Sequence, residues 1–479
     1  MKKQRHLVWF RNDLRVEDNR ALKAAAAESG NDNGEIIAVL TPPYAQWEHY
    51  GHGPSKLHFW HACAEALKTQ LEKLNIPVLV IDTKRYRELP DALLKRAQSA
   101  GITHLYFNDE YAVDERTRDV RVTKTFRDAS ITVARYTDMI QFTPGDLRTG
   151  KGDFYGVFTP FSKNWHRSLS SEQLAPSSAP SKQSAPKGIS SDTLKAPAIS
   201  AQIDMKKWPA GEEAAQERLA QFIQKRVARY SENRDFPHLS GTSELSAYLA
   251  VGAISSRQCL NAMLHQNQGH LADGDKGTAT WVNEIIWREF YQHLMVGYPR
   301  VCKHQPFREE GKDIAWRNDK NELKAWKEGR TGYPLIDAAM RQLVTTGWMH
   351  NRLRMVVAMF LSKHLLIDWR WGESFFLEHL VDGELGANNG GWQWASSTGT
   401  DASPYFRLFN PTTQSQRFDP QGEFIAAWLE GFEQLDPKNR HAPTVEQRKQ
   451  LGYPAPIVDH KAARERALKV FADAFKRDS

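Results

Sequence analysis

At 479 residues, with 64 Lys and Arg against 57 Asp and Glu, the chain is too long for one ordinary hydrophobic core and predicts two domains. Its 41% hydrophobic and 25% charged residues are close to average usage and point neither to disorder nor to a membrane. The net charge of +7 points to a polyanion such as DNA only if it is gathered on one face.

The basic start, MKKQR, precedes an apolar run of only Leu7 to Phe10, shorter than a signal peptide requires. Residues 6 to about 135 alternate short apolar runs with helical patterns. The runs are His6–Phe10, Glu35–Leu40, Pro77–Asp82 and His104–Phe107. Leu57, Trp60, Ala64, Leu67, Leu71 and Leu74 mark an amphipathic helix between the second and third. Short buried strands alternating with helices predict a Rossmann-like α/β domain, residues 1–135, with a parallel sheet covered on both faces. Arg11-Asn-Asp-Leu-Arg15 stands where a glycine-rich dinucleotide fingerprint would follow the first strand, which excludes an ordinary NAD-binding domain.

More than half the residues from Ser168 to Ser200 are Ser, Ala or Pro, a composition that predicts an exposed linker within an interdomain region, residues 136–205. Beyond it, residues 206–479 predict an all-helical domain, with helices over Glu212–Arg229, Trp281–Leu294, Leu335–Val344 and Arg352–Leu366. Met355 to Trp369 is interrupted by Ser362, Lys363 and His364, too polar and too short to span a bilayer. Cys63, Cys259 and Cys302 lie far apart, which suits a reducing cytoplasm and argues against a disulfide framework or a zinc site.

Four strings in the C-terminal part carry candidate chemistry. Tyr230 and Gly241-Thr-Ser-Glu-Leu-Ser246 could cap a helix or offer backbone amides to a phosphate. In Trp281-Val-Asn-Glu-Ile-Ile-Trp-Arg288, Glu284 shares a helical face with Trp281 and Arg288. It could bind a flat heterocycle or pair with Arg288. Asn351, Arg352 and Arg354, beside Trp348, are residue types that hold phosphates and stack on bases, or form a solvated basic helix start. The fourth runs from Asp382-Gly-Glu384 through Asn388-Asn-Gly-Gly-Trp392 and Trp394 to Gln414. Its glycines and paired asparagines, followed by two tryptophans, favour close contact with something flat.

In order and spacing these strings resemble the photolyase/cryptochrome family, and within it the class I cyclobutane pyrimidine dimer photolyases of bacteria; the likeness runs from Leu7 to Asp459. It implies that the helical domain binds FAD through Tyr230, Thr242, Ser243, Glu244, Leu245, Ser246, Arg354, Asp382, Gly383, Glu384 and Asn388. The hydroxyl string would take the diphosphate, Asp382 would bond the isoalloxazine edge and pair with Arg354, and Asn388 would sit near flavin N5. Glu384 departs from the family's Asp-Gly-Asp.

The resemblance also implies light-driven electron transfer from reduced FAD to a flipped-out dimer. Glu284 would bond the dimer bases, Trp287 and Trp394 would wall them, and Met355 would lie beneath. Arg234, Arg288, Asn351, Arg352 and Gln414 complete the expected DNA set, and Trp392, Trp369 and Trp316 match the family's electron-transfer triad. Asp114, Glu115, Cys302 and Lys303 match positions that bind a methenyltetrahydrofolate antenna, although Asp114 stands for an expected Asn and Tyr50 for an expected His. A deazaflavin antenna, or none, stays open. Rival readings are a cryptochrome-type light receptor, a (6-4) photolyase, for which His is expected at Met355, and a flavin electron-transfer protein with no DNA role. A monomer is expected.

Overall fold

The computed structural model describes residues 3–170 and 172–475 and divides into two compact units. The first comprises residues 1–201, 205–228 and 243–299, the second 202–204, 229–242 and 300–479.

In the first unit five parallel strands, β1 (Arg5–Phe10), β2 (Glu35–Leu40), β3 (Val78–Val80), β4 (His104–Asn108) and β5 (Thr132–Tyr136), lie in the order β3-β2-β1-β4-β5. Apart from half-buried Arg5, β1 and β2 are wholly buried, which is why they read as unbroken apolar runs. Side chains alternate between faces. Leu7, Trp9, Ile37, Val39, Leu105 and Phe107 pack with Leu89, Leu93 and Ala97 of helix Leu89–Ser99 and with Val122 and Phe126 of helix Val113–Asp128. The opposite face meets helix Arg20–Asp32 and helix Pro54–Lys73, the amphipathic helix expected from the leucine spacing. Strand β5 was not among the expected runs. It is an edge strand in which only Val133 is buried, so its sequence lacks the apolar signal.

The segment expected as an exposed linker is irregular apart from the short turn Glu172–Leu174, yet it is anchored. Gln183 bonds both the amide and the carbonyl of Ile36, and the Ser191 hydroxyl and Asp192 carboxylate accept from the amides of Val78 and Val80 on the other edge strand. Polar side chains thus satisfy the open edge that apolar burial could not cover. Helix Phe158–Ser168 lies within the same expected linker region and buries Phe161 and Trp165.

Residues 205–228 and 243–299, expected in the helical domain, group with the sheet through buried polar ties. The Glu289 carboxylate accepts from the amides of Gln141 and Phe142, and Glu212 accepts from those of Val16 and Glu17. Asp138 bridges two buried guanidinium groups, Arg15 and Arg257 (2.6 Å), and Arg257 also reaches Asp18.

The second unit is helical. Its core gathers Trp326, Ile336, Leu343, Leu353, Val357, Trp369, Phe376 and Trp392. The helix expected over Arg352–Leu366 is in fact Asn351–Met359 followed by a π-helical turn, Phe360–His364. No described helix is long and apolar enough to cross a membrane.

Burial pushes the Asp138 carboxyl up, but Arg15 and Arg257 outweigh it and hold the group at about 2. Its unfolded value is about 4. The resulting stabilisation is complete above that pH and is lost as pH falls toward 2. Asp138→Asn should cost about 3–5 kcal/mol at neutral pH, because it strands buried guanidinium groups. In urea unfolding the deficit should shrink on acidification below about pH 4.

Candidate active site

In the second unit a single helix start directs two arginines to different partners. His350 is the N-cap of helix Asn351–Met359, its Nδ1 accepting from the Arg352 amide at 3.2 Å. Burial lowers this imidazole to about 4, so the ring is neutral near pH 7 and keeps the acceptor that the cap needs. Residues two apart on a helix point about 200° apart. Arg352 accordingly reaches Asp235 at 2.8 Å and lies over the Phe418 ring at 4.4 Å, whereas Arg354 reaches Asp382 at 2.8 and 3.1 Å and the Met349 carbonyl at 2.8 Å.

The Asp382 side chain is only 2% exposed, a buried carboxylate tied to one guanidinium. Its loop is fixed from behind, where the Val381 amide donates to the Gly347 carbonyl at 2.8 Å. Gly347 is required there. Its φ is +70°, and a Cβ would stand 2.7 Å from the Val381 side chain. Glu384 then caps helix Leu385–Ala395 by backbone alone, with no side-chain cap bond.

That helix has two different faces. On one, Asn389 Nδ2 donates to Glu373 (2.8 Å), Gln393 donates to Asn389 (2.9 Å), and His304 Nδ1 lies 2.8 Å from the same Glu373. The hydrogen bond to Glu373 raises the His304 pKa. On the other face, Gly391 and Trp394 are three residues apart, and Asn388 lies at the border of the two faces. A Cβ on Gly391 would meet nothing within 4 Å, so this face is open. Asn388 is buried, and its Nδ2 donates to the Glu373 carbonyl. An acidic group fixed by an arginine, a buried amide and an unfilled face that ends in an indole suit a flat, hydrogen-bonding heterocycle such as a flavin.

Trp392 and Trp369 are buried, and neither indole N–H has a hydrogen-bond partner. Trp392 presses on the helix that Trp369 begins, for a Cβ on Gly372 would lie 2.1 Å from its ring. Trp316 precedes Arg317 and Asn318, whose amides bond Leu366, and Asn318 Oδ1 accepts from the Asp368 amide just before Trp369. The three expected tryptophans therefore sit on directly connected pieces of one unit. Gln414, on helix Pro411–Phe418, has a buried Oε1 without a partner. Arg234 lies over the Tyr230 ring at 5.5 Å and 3.9 Å from Asp235. Asp235 thus faces both expected DNA arginines, a role that its position in the sequence does not disclose. Met355 Sδ lies 4.0 Å from Arg352. Thr242 follows Gly241, where a Cβ would strike the Asn233 carbonyl at 2.8 Å. Cys302 and Lys303 form the turn Val301–Lys303.

In the first unit, Ser243 accepts from the buried Trp281 indole at 3.2 Å and from the Leu245 amide at 3.4 Å. Glu244 adopts a left-handed conformation (φ +52°) and pairs with Arg218 at 2.5 Å; Leu245 is right-handed, and helix Ser246–Val251 begins directly after it. Successive amides in such a turn can gather an anion. On helix Lys276–Gly297, Trp287 stacks on Phe158 at 3.7 Å and 4°. Glu284 is half-buried three residues before it. Arg288 donates to the carbonyls of Met139 and Leu249, which makes it a brace for two loops. Glu115 is pushed up to about 7 by burial and by Glu110, and Tyr50, bonded to Asp114, is raised to about 12.

Two family models match this chain: DNA photolyase over residues 6–181 and the FAD binding domain of DNA photolyase over residues 281–473. It is 43% identical to the deoxyribodipyrimidine photo-lyase of Salmonella typhimurium and 42% identical to that of Escherichia coli, each over 98% of this chain and 99% of the relative. Among solved structures, a bacterial class III photolyase from Agrobacterium tumefaciens matches with a TM-score of 0.87 at 34% identity, over 99% of this chain and 98% of its own. A Synechocystis cryptochrome matches with 0.83 at 28%, over 98% and 100%. The chain belongs to the photolyase/cryptochrome family. Its C-terminal part is an FAD-binding domain of the photolyase type.

The two glycines make a paired test. Gly372→Ala should displace Trp392 and cost about 1–3 kcal/mol in denaturant unfolding. Gly391→Ala, facing open space within a helix, should be neutral or stabilising by up to about 1 kcal/mol.

Proposed function

We propose that this protein repairs cyclobutane pyrimidine dimers in DNA by light. The observation that carries the reading is the open Gly391–Trp394 face beside the buried Asn388, in the stretch of chain that also supplies the buried Asp382 paired with Arg354. Full-length similarity to deoxyribodipyrimidine photo-lyases supports it.

Bound and reduced, FAD supplies the excited-state electron that splits the cyclobutane ring and recovers it afterwards. The protein's part is to hold, orient and exclude water. Arg354 holds the Asp382 carboxylate in place toward the isoalloxazine edge, and Asn388 offers its amide to the ring. Gly383 and Glu384 continue that edge, Tyr230 contributes its buried ring, and Thr242 to Ser246 receive the diphosphate. Glu284 is proposed to bond the dimer bases, with Trp287 and Trp394 as apolar walls and Met355 beneath.

Extrusion of the damaged bases from the duplex is a property of photolyases as a class. Arg234, Asn351, Arg352 and Gln414 are proposed to hold phosphates, with Asp235 orienting both guanidinium groups, and Arg288 is proposed to support DNA binding as the brace of two loops of its own unit. Trp316, Trp369 and Trp392 form a relay of redox-active indoles. A methenyltetrahydrofolate antenna is proposed at Asp114, Glu115, Cys302 and Lys303. Burial raises the thiols of Cys63 and Cys259 to about 12 and leaves them inert, which suits a monomer in a reducing cytoplasm.

The likeness to a cryptochrome keeps a light receptor without repair as the second reading. Cleavage of a defined thymine dimer by the purified, reduced protein decides between them. Repair under blue light and none in darkness is expected. No repair under light, with flavin bound and reduced, would leave the receptor reading.

A further inference from the structure

The second unit buries a lysine that none of the proposed roles uses. Lys363 lies in the π-helical turn Phe360–His364 and is fully buried. Its Nζ donates to the carbonyl of Arg407 at 2.8 Å and to that of Pro404 at 3.4 Å. Both acceptors belong to the stretch 396–409, which contains neither helix nor strand and joins helix Leu385–Ala395 to helix Pro411–Phe418.

Trp394 and Gln414, at the two ends of this stretch, are proposed to face the damaged bases and the DNA. The stretch is tied to Trp394 by its own bonds. The amides of Ser397 and Ser403 donate to the Trp394 carbonyl, and the Ser397 hydroxyl donates to the Ser403 carbonyl at 2.6 Å. Tyr405 and Leu408 turn inward onto Phe471 and Phe475 of the last helix. Phe406 turns outward and is 61% exposed, next to the exposed Arg407. A buried ammonium beneath a stretch with so little regular structure is a costly way to fill space, and Met would fill it without charge.

We propose that Lys363 is a positioning residue: it clamps the turn Pro404–Arg407 so that Phe406 and Arg407 are presented to damaged DNA at a fixed height relative to Trp394. The inference rests on the dimer-repair reading. Arg407 is the charged side chain that bears on the ammonium. The Phe471 ring lies 5.8 Å away, and the other titratable groups around the turn bond one another: His364 with His460 at 2.9 Å, and Arg466 with the His364 carbonyl. Burial, with Arg407 adding to it, lowers the lysine to about 7. Below that pH the clamp is charge-assisted; above it a neutral amine holds the same carbonyls more weakly.

Lys363→Met in the full-length, flavin-loaded protein tests the clamp. Binding of a dimer-containing oligonucleotide should weaken about tenfold, while turnover at saturating DNA stays unchanged. Chymotrypsin should cut faster after Tyr405 and Phe406. The wild type needs no variant for a second reading. Between about pH 6 and pH 9 its cleavage at these sites, normalised to a free peptide of the same sequence, should accelerate as the lysine loses its proton, and its dimer affinity should fall relative to that of K363M. Equal affinity and equal cleavage in K363M and wild type would overturn the proposal, as would wild-type cleavage that stays flat with pH. Failure of the wild type to prefer dimer DNA would overturn the repair reading and this inference with it, whatever the cleavage shows.

Discussion

Everything proposed for the second unit depends on one buried ion pair, Arg354 with Asp382. A carboxylate so little exposed has to be paired and hydrogen-bonded, and the pairing fixes where its loop can lie. The constraint propagates both ways along the chain. Upstream, Arg354 is in place because helix Asn351–Met359 starts where His350 caps it, and the cap works because burial keeps that imidazole neutral. Downstream, fixing Asp382 fixes Glu384 and therefore the direction of helix Leu385–Ala395, which carries the buried Asn388 and an open face with Gly391 and Trp394. The Gly347–Val381 backbone bond and the Glu373 network hold the same loop and helix from behind.

The first unit obeys a similar rule with different residues. Its sheet is covered by apolar helices, but what ties the later helical segments to it is a set of buried charges: Asp138 between Arg15 and Arg257, Glu289 on two amides, Glu212 on two more. Such ties add directionality that apolar contact lacks, since each carboxylate is satisfied in one arrangement only.

Much of this was legible in the sequence. Strands β1 to β4 announced themselves as apolar runs because parallel strands are buried on both faces, and the amphipathic helices by their spacing of three and four. Strand β5 did not, since an edge strand needs few apolar residues. Composition marks the Ser/Ala/Pro stretch as a linker and carries no trace of Gln183 and Asp192 satisfying the sheet edge. The glycine- and asparagine-rich string stands out in the sequence, but the reasons for its residues do not. Gly372 exists for a ring twenty residues away, and Asn389 serves Glu373 from the preceding helix. Asp235 stood in plain view between Arg234 and Phe236, but its partner Arg352 is more than a hundred residues distant. What local pattern cannot report is a partner brought in by the fold.

The central claim is that the Asp382 carboxylate, held by Arg354, anchors the flavin. Titration of flavin-stripped protein with FAD, followed by flavin fluorescence, tests it most directly. Asp382→Asn should weaken FAD binding by about ten- to a hundredfold, with the helical signal kept and the unfolding transition lowered but still cooperative. An Asp382→Asn protein that takes up FAD as tightly as the wild type would contradict the account.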